Sequence, residues 1–133
     1  LDVVVNPDTG VVRVVRAFSA ADAGEIINPD GVRNQIEGGI VQATSWTLKE
    51  RVLASNNGSQ TADWTSYPIL RFSEVPEIEV TLINRPNENF LGAGEGTQGP
   101  TGAAIANAIF NATGARLYDM PFTPEKVLAA MSE

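Results

Sequence analysis

Apolar, β-branched residues cluster near the start of the chain and alternate with polar ones in its middle, and apolar positions recur at helical spacing between and after these stretches. Leu1–Asn6 and Val11–Phe18 are rich in β-branched residues and are joined by Asn6-Pro7-Asp8-Thr9-Gly10. Pro fixes φ in that linker and Gly supplies a positive φ, so a β-hairpin is predicted. In the second run Val12, Val14 and Ala17 mix with Arg13 and Arg16, an imperfect alternation that fits a half-exposed strand. Ser19 to Pro29 has no period and predicts an irregular stretch, with Asp22 making a turn or capping backbone N–H groups. Asn28-Pro29 supplies an N-cap and a first helical residue. A helix is predicted from about Pro29 to about Ala54, with Val32, Ile36, Gly39, Ile40, Ala43 and Thr47 facing the core. Gly38-Gly39 inside it costs about 1 kcal/mol per residue against Ala. Close approach of a ligand or of another backbone is the natural compensation.

Asn56-Asn57-Gly58-Ser59 ends that helix, and Thr61–Pro68 reads as a loop anchored by Trp64 and Tyr67. Glu77–Ile83 alternates Ile78, Val80 and Leu82 with polar residues and predicts a strand. A second helix is expected over Thr101–Thr113, closed by Gly114. A third starts at Thr123-Pro124 and runs to about Met131. The fold class is α+β, antiparallel strands covered by helices.

The chain has 133 residues, 43% apolar content and a net charge of −7, with nine basic residues that form no cluster. One compact domain fits that length. Binding to nucleic acid is disfavoured, and no apolar run has the length needed for membrane insertion. There is no histidine and no cysteine. Disulfides and thiolate metal sites are therefore excluded, and a redox metal must be carried by a cofactor or another polypeptide. The lack of cysteine leaves the compartment undetermined. Leu1-Asp2-Val3-Val4-Val5 reads as the middle of a strand with no initiating Met, so a fragment or processed piece is expected.

The candidate chemistry lies in Leu91-Gly-Ala-Gly-Glu-Gly-Thr-Gln-Gly-Pro100. Glu95 is a lone carboxylate among residues almost without side chains, which lets a bulky ligand approach the backbone. The helix that follows offers free N–H groups at its start. Without histidine or cysteine, Glu95 has few rivals as a general base. Taken alone, a glutamate in such a loop is most often simply solvated. Gly92-Ala93-Gly94 with Gly96 looks like a dinucleotide fingerprint, but no strand leads straight into it and no βαβ unit surrounds it. Gln35 falls beside the buried stripe of the first helix, which favours a specific contact. Asn107, among Ala104, Ile105, Ala108 and Ile109, reads as a buried amide that satisfies backbone groups.

The combination is more specific than its parts. Asp22-Ala-Gly24, Ile27-Asn28-Pro29, Gln35-Ile-Glu-Gly38-Gly39, Tyr67-Pro-Ile69, Val75-Pro76-Glu-Ile78, Leu91-Gly-Ala-Gly94-Glu95, Ala104-Ile-Ala-Asn107-Ala-Ile and Ala112-Thr-Gly114 follow in this order. The set closely resembles the C-terminal end of the molybdenum-cofactor-binding subunit in the xanthine dehydrogenase and aldehyde oxidase family. The nearest branch is the isoquinoline 1-oxidoreductase β-subunit type, for which Asn28-Pro-Asp-Gly-Val-Arg-Asn-Gln-Ile-Glu-Gly-Gly39 is characteristic, and Trp46-Thr-Leu-Lys-Glu50 extends the match. The resemblance covers nearly the whole chain. It implies that residues 1–133 are a single C-terminal segment of a larger molybdopterin-binding domain.

Such enzymes hydroxylate a carbon next to a ring nitrogen, or an aldehyde carbon, with oxygen from water. Their molybdenum is held by the dithiolene of a pterin cofactor, molybdopterin or its cytosine dinucleotide form, so the protein need supply no metal ligand. A glutamate in a Gly-Glu loop takes the proton from a molybdenum-bound hydroxyl, and hydride moves to the metal's sulfido ligand. By position the resemblance assigns that role to Glu95. It assigns cofactor contact to Gln35, with Gly38, Gly39 and Gly94 allowing close approach to the cofactor or to a neighbouring strand. Many relatives follow the glutamate with Pro, whereas Gly96-Thr97-Gln98-Gly99-Pro100 intervenes here, which predicts a longer or looser loop. The implied partners are the rest of the molybdenum subunit, a subunit with 2Fe–2S clusters, a c-type cytochrome as electron acceptor, and a small-molecule substrate. The fragment alone should be inactive. The rival reading is a non-catalytic folding or interaction domain that binds a partner chain without cofactor.

Overall fold

The computed structural model describes residues 1–132. Strand β1 is Asp2–Val5 and strand β2 is Val12–Asp22, paired antiparallel. Their turn is built as expected: Asn6 Oδ1 accepts from the N–H groups of Asp8 and Thr9 at 2.9 and 3.0 Å, and Gly10 takes a φ of +71°. The imperfect alternation in β2 has a physical origin. The register slips between Asp2 and Val3, so Arg16 faces Asp2 while Val14 faces Val3. This bulge carries both Val14 and Ala17 to the buried side.

Strand β2 runs on through Ser19-Ala20-Ala21-Asp22, where an irregular stretch is expected. The residues have little β preference of their own. A partner elsewhere in the chain makes the strand: β5, Glu77–Ile83, pairs with it from Arg16↔Glu77 to Asp22↔Ile83. That pairing is parallel. The α+β class holds and β1–β2 is antiparallel, but the sheet, ordered β1-β2-β5, is mixed.

Helix α1, Pro29–Leu48, makes the crossover between the parallel strands. Asn28 caps it, its Oδ1 accepting from Gly31 N at 2.9 Å. Ile36 and Ile40 pack with Ala17 and Val80 on the sheet, and Arg33 donates to Val80 O at 2.7 Å. The helix stops at Leu48 and does not reach Ala54. Phe122 N donates to Thr47 O at 2.7 Å, taking the carbonyl that a continuing helix would offer residue 51. Lys49 then reaches both oxygens of Glu74 at 2.5 and 2.7 Å. Burial pushes the Glu74 carboxyl up, but the hydrogen bonds from Lys49 and from Arg71 N outweigh it and the net direction is down. The stability this adds is present above the ordinary carboxylate pKa and is lost as pH falls through the depressed value.

Residues expected at the end of that helix form instead a small hairpin, β3 (Ala54–Ser55) and β4 (Gly58–Ser59). Trp64 does not anchor the following loop and is 69% exposed. Tyr67 does, donating to Glu50 Oε2 at 2.7 Å. Helix α2 is Gln98–Thr113 and helix α3 is Pro124–Met131. Gly114 closes α2 with a φ of +78° and its N–H on Phe110 O. Ile105 and Ile109 of α2 are fully buried in a second core cluster with Val14, Leu48, Leu117, Phe122 and Val127. Asn107 is not the buried amide expected. It lies exposed and accepts from Arg116 at 2.9 Å. Among the described residues no helix is long and apolar enough to cross a membrane.

Candidate active site

The loop that carries Glu95 is held at its start by the end of β2. Asp22 makes the expected turn, Oδ1 accepting from Gly24 N at 3.1 Å, while its Oδ2 lies 3.1 Å from Arg85 Nε. Gly24 has a φ of +71°, and its carbonyl accepts from Arg85 N at 2.9 Å. Asn84 Oδ1 accepts from Ile26 N at 3.0 Å and Ala23 O accepts from Leu91 N at 2.9 Å. Residues 84–91 are therefore laced to the turn at 22–24, and the glycine run is delivered to the start of α1. Strand β5 does not lead straight into this run. Among the described residues no strand follows α2, so no βαβ unit surrounds the glycines.

Gln35, Gly38, Gly39, Gly94 and Glu95, scattered in sequence, line one open cleft of about 390 Å³. Gln35 and Gly94 are neighbours: a Cβ added to Gly94 would come within 3.4 Å of Gln35 Nε2. Gly38 is exposed, and a Cβ there would meet nothing within 4 Å. Gly39 differs, because a Cβ on it would overlap Thr97 Oγ1. Its closest neighbour is the protein's own chain. Glu95 is exposed and is the one charged side chain among the described residues of the cleft. Gly96 and Gly92 beside it have open space where a side chain would be.

Two cleft residues escaped the sequence reading, Gln42 of α1 and Gln98 of α2. Gln98 Nε2 donates to Gln42 Oε1 at 2.8 Å, bridging the helices beside Glu95. Gln98-Gly99-Pro100, expected as loop, is the first turn of α2. Pro is tolerated there because early helical N–H groups have no partner within the helix. A position seven residues beyond Gln35 on one face was the available signal for Gln42. An apolar groove lies on the other side of Gln35 and Gly94, lined by Ile26, Ile27, Val32, Phe90 and Leu91.

The residues suit a flat heterocyclic cofactor. Three glutamine amides offer donors and acceptors to a ring edge of mixed polarity, and Gly38 leaves the face of α1 bare. Residues 1–76 match the family described as Molybdopterin cofactor-binding domain, and the chain belongs to that family. It is 46% identical over 130 residues to a subunit of nicotinate dehydrogenase from Pseudomonas putida, covering 98% of this chain and 11% of that protein. It is 36% identical over 119 residues to the beta subunit of isoquinoline 1-oxidoreductase from Brevundimonas diminuta, covering 90% and 15%. Among solved structures, quinoline 2-oxidoreductase from Pseudomonas putida 86 superposes with a TM-score of 0.86 at 29% identity, over 98% of this chain and 18% of that one. The chain thus spans less than a fifth of each of these relatives.

Proposed function

We propose that this chain is the segment of a molybdenum hydroxylase that brings a general base to the cofactor, acting on an N-heteroaromatic ring or an aldehyde. The observation that carries the reading is the cleft that Glu95 and Gln35 line together. The names of the relatives, which speak of nicotinate, isoquinoline and quinoline, support the N-heteroaromatic class. When bound, the cofactor supplies a Lewis-acidic centre that acidifies water and takes up two electrons. Glu95 accepts the proton at its carboxylate from the water-derived oxygen, and the bare backbone at Gly94 and Gly96 gives that carboxylate its approach. Gln35, with Gly94 against its amide, orients the cofactor edge. The partners that follow are the remainder of the molybdenum subunit, a 2Fe–2S subunit and a c-type cytochrome.

Metal analysis of the intact complex tests this reading, with molybdenum and iron both expected. Turnover in ¹⁸O-labelled water should place the label in the product. A complex without molybdenum would leave the rival reading, an interaction domain without cofactor.

Gly38 gives a separate check. On helix propensity alone, Gly38→Ala should stabilise the cofactor-free protein by about 0.5–1 kcal/mol. With the cofactor lying against this face, the added methyl should lower molybdenum retention. Thermal unfolding of both forms, with metal content, reads the two effects. A gain in both forms would remove Gly38 from the cofactor surface.

A further inference from the structure

Glu95 lies on a span whose other residues contribute little to holding it. Gly92, Gly94 and Gly96 leave the backbone many conformations, so a carboxylate on it needs fixed points on either side. Upstream that point is Leu91, through its N–H on Ala23 O. Downstream it is Thr97, buried although polar. Thr97 stands at the N-cap of α2 yet makes no capping bond with its side chain. Its hydroxyl instead donates to Ile36 O of α1 at 3.0 Å, over the notch left by Gly39. Gln98 adds the amide bridge to Gln42, and its own N–H donates to Glu95 O at 3.2 Å.

We infer that Thr97, seated in the Gly39 notch of α1, is the positioning residue that sets the aim of the Glu95 carboxylate. The inference rests on the reading of Glu95 as the base. It assigns Gly39 to this seat, and so gives the costly second glycine of the pair a purpose within the chain. It also makes Ile36, Gly39 and Gln35 parts of one rigid element, so that base and cofactor contact are referred to the same helix.

The test is Thr97→Val in the intact enzyme, which keeps the shape and removes the hydroxyl. Turnover per bound molybdenum should fall about tenfold to 100-fold, the usual consequence of a misplaced catalytic group. KM and molybdenum content should stay unchanged, and hydrogen exchange at the Gln98 N–H, which donates to Glu95 O, should quicken. Thr97→Ser should restore all of these. Thr97→Val added to Glu95→Gln should slow the enzyme no further, since both act through one group. Thr97→Ala carries the same test should the Val protein not accumulate. Normal turnover per molybdenum in the Thr97 variants beside an inactive Glu95→Gln overturns this inference alone. So does a loss that tracks only unfolding temperature or metal content. Full turnover in Glu95→Gln removes the base itself and this inference with it.

Discussion

Replacing Glu95 with Gln should lower turnover per bound molybdenum by roughly 10²–10⁴-fold, the range that a positioned general base contributes. That corresponds to about 3–5 kcal/mol of lost transition-state stabilisation. The substitution keeps shape and a carbonyl oxygen while removing basicity. It should leave folding untouched for reasons visible in the site. Among the described residues Glu95 has no ion-pair partner, and its side chain makes no hydrogen bond whose loss would strand a neighbour. Such exposed substitutions change stability by about 0.5 kcal/mol or less. Molybdenum content should hold, because Gln35 and the bare helix face are unchanged. Glu95→Asp separates basicity from reach: it keeps the charge but shortens the side chain by one methylene. Its rate should fall between the parent and the Glu95→Gln enzyme, since a displacement of about 1 Å already costs up to about 10²-fold. Steady-state turnover normalised to metal content checks the order. A Glu95→Gln enzyme as fast as the parent would end the assignment.

How far the sequence carried can be seen residue by residue. Features written by local chemistry were legible: Asn28-Pro29 starting α1, Asn6 to Gly10 turning the hairpin, Asp22 bonding Gly24 N, Gly114 closing α2. Each depends on neighbours a few residues away. What was not legible depends on contacts between distant segments. Ala20-Ala21-Asp22 is a strand only because β5 lies beside it. The end of α1 is set by Phe122, and the bulge in β2 by its register with β1. The site divides along the same line. Glu95 and Gly94 stand out because a glycine run is unusual, and Gln35 because it borders a buried stripe. Gln42, Gln98 and Thr97 look like ordinary helix-surface or loop polar residues until the two helices are docked. Gly39 signals a close neighbour through its cost to the helix. That neighbour, Thr97, could not be named without the fold.

Replacing Gly24 with Ala should destabilise the protein by about 2–5 kcal/mol, from two separable causes. At a φ of +71° an L-residue carries left-handed strain of about 1–2 kcal/mol. The new Cβ would also overlap the carbonyl oxygen of Asn89, which is backbone and has little freedom to yield. Forced overlap of this kind adds about 1–3 kcal/mol. Gly114→Ala is the control, because it has nearly the same positive φ, +78°, but open space at the Cβ position. Unfolding temperatures of the intact protein should therefore fall further for Gly24→Ala than for Gly114→Ala. Equal shifts would mean that overlap with Asn89 contributes nothing. The site should register the difference as well. Relief of the overlap moves residues 84–91 off the turn, loosening the bonds from Arg85 N to Gly24 O and from Leu91 N to Ala23 O. Leu91 is the upstream fixed point of the glycine run, so its release should quicken hydrogen exchange at the Leu91 N–H and lower turnover per molybdenum. Gly114, at the end of α2 away from the glycine run, should change neither.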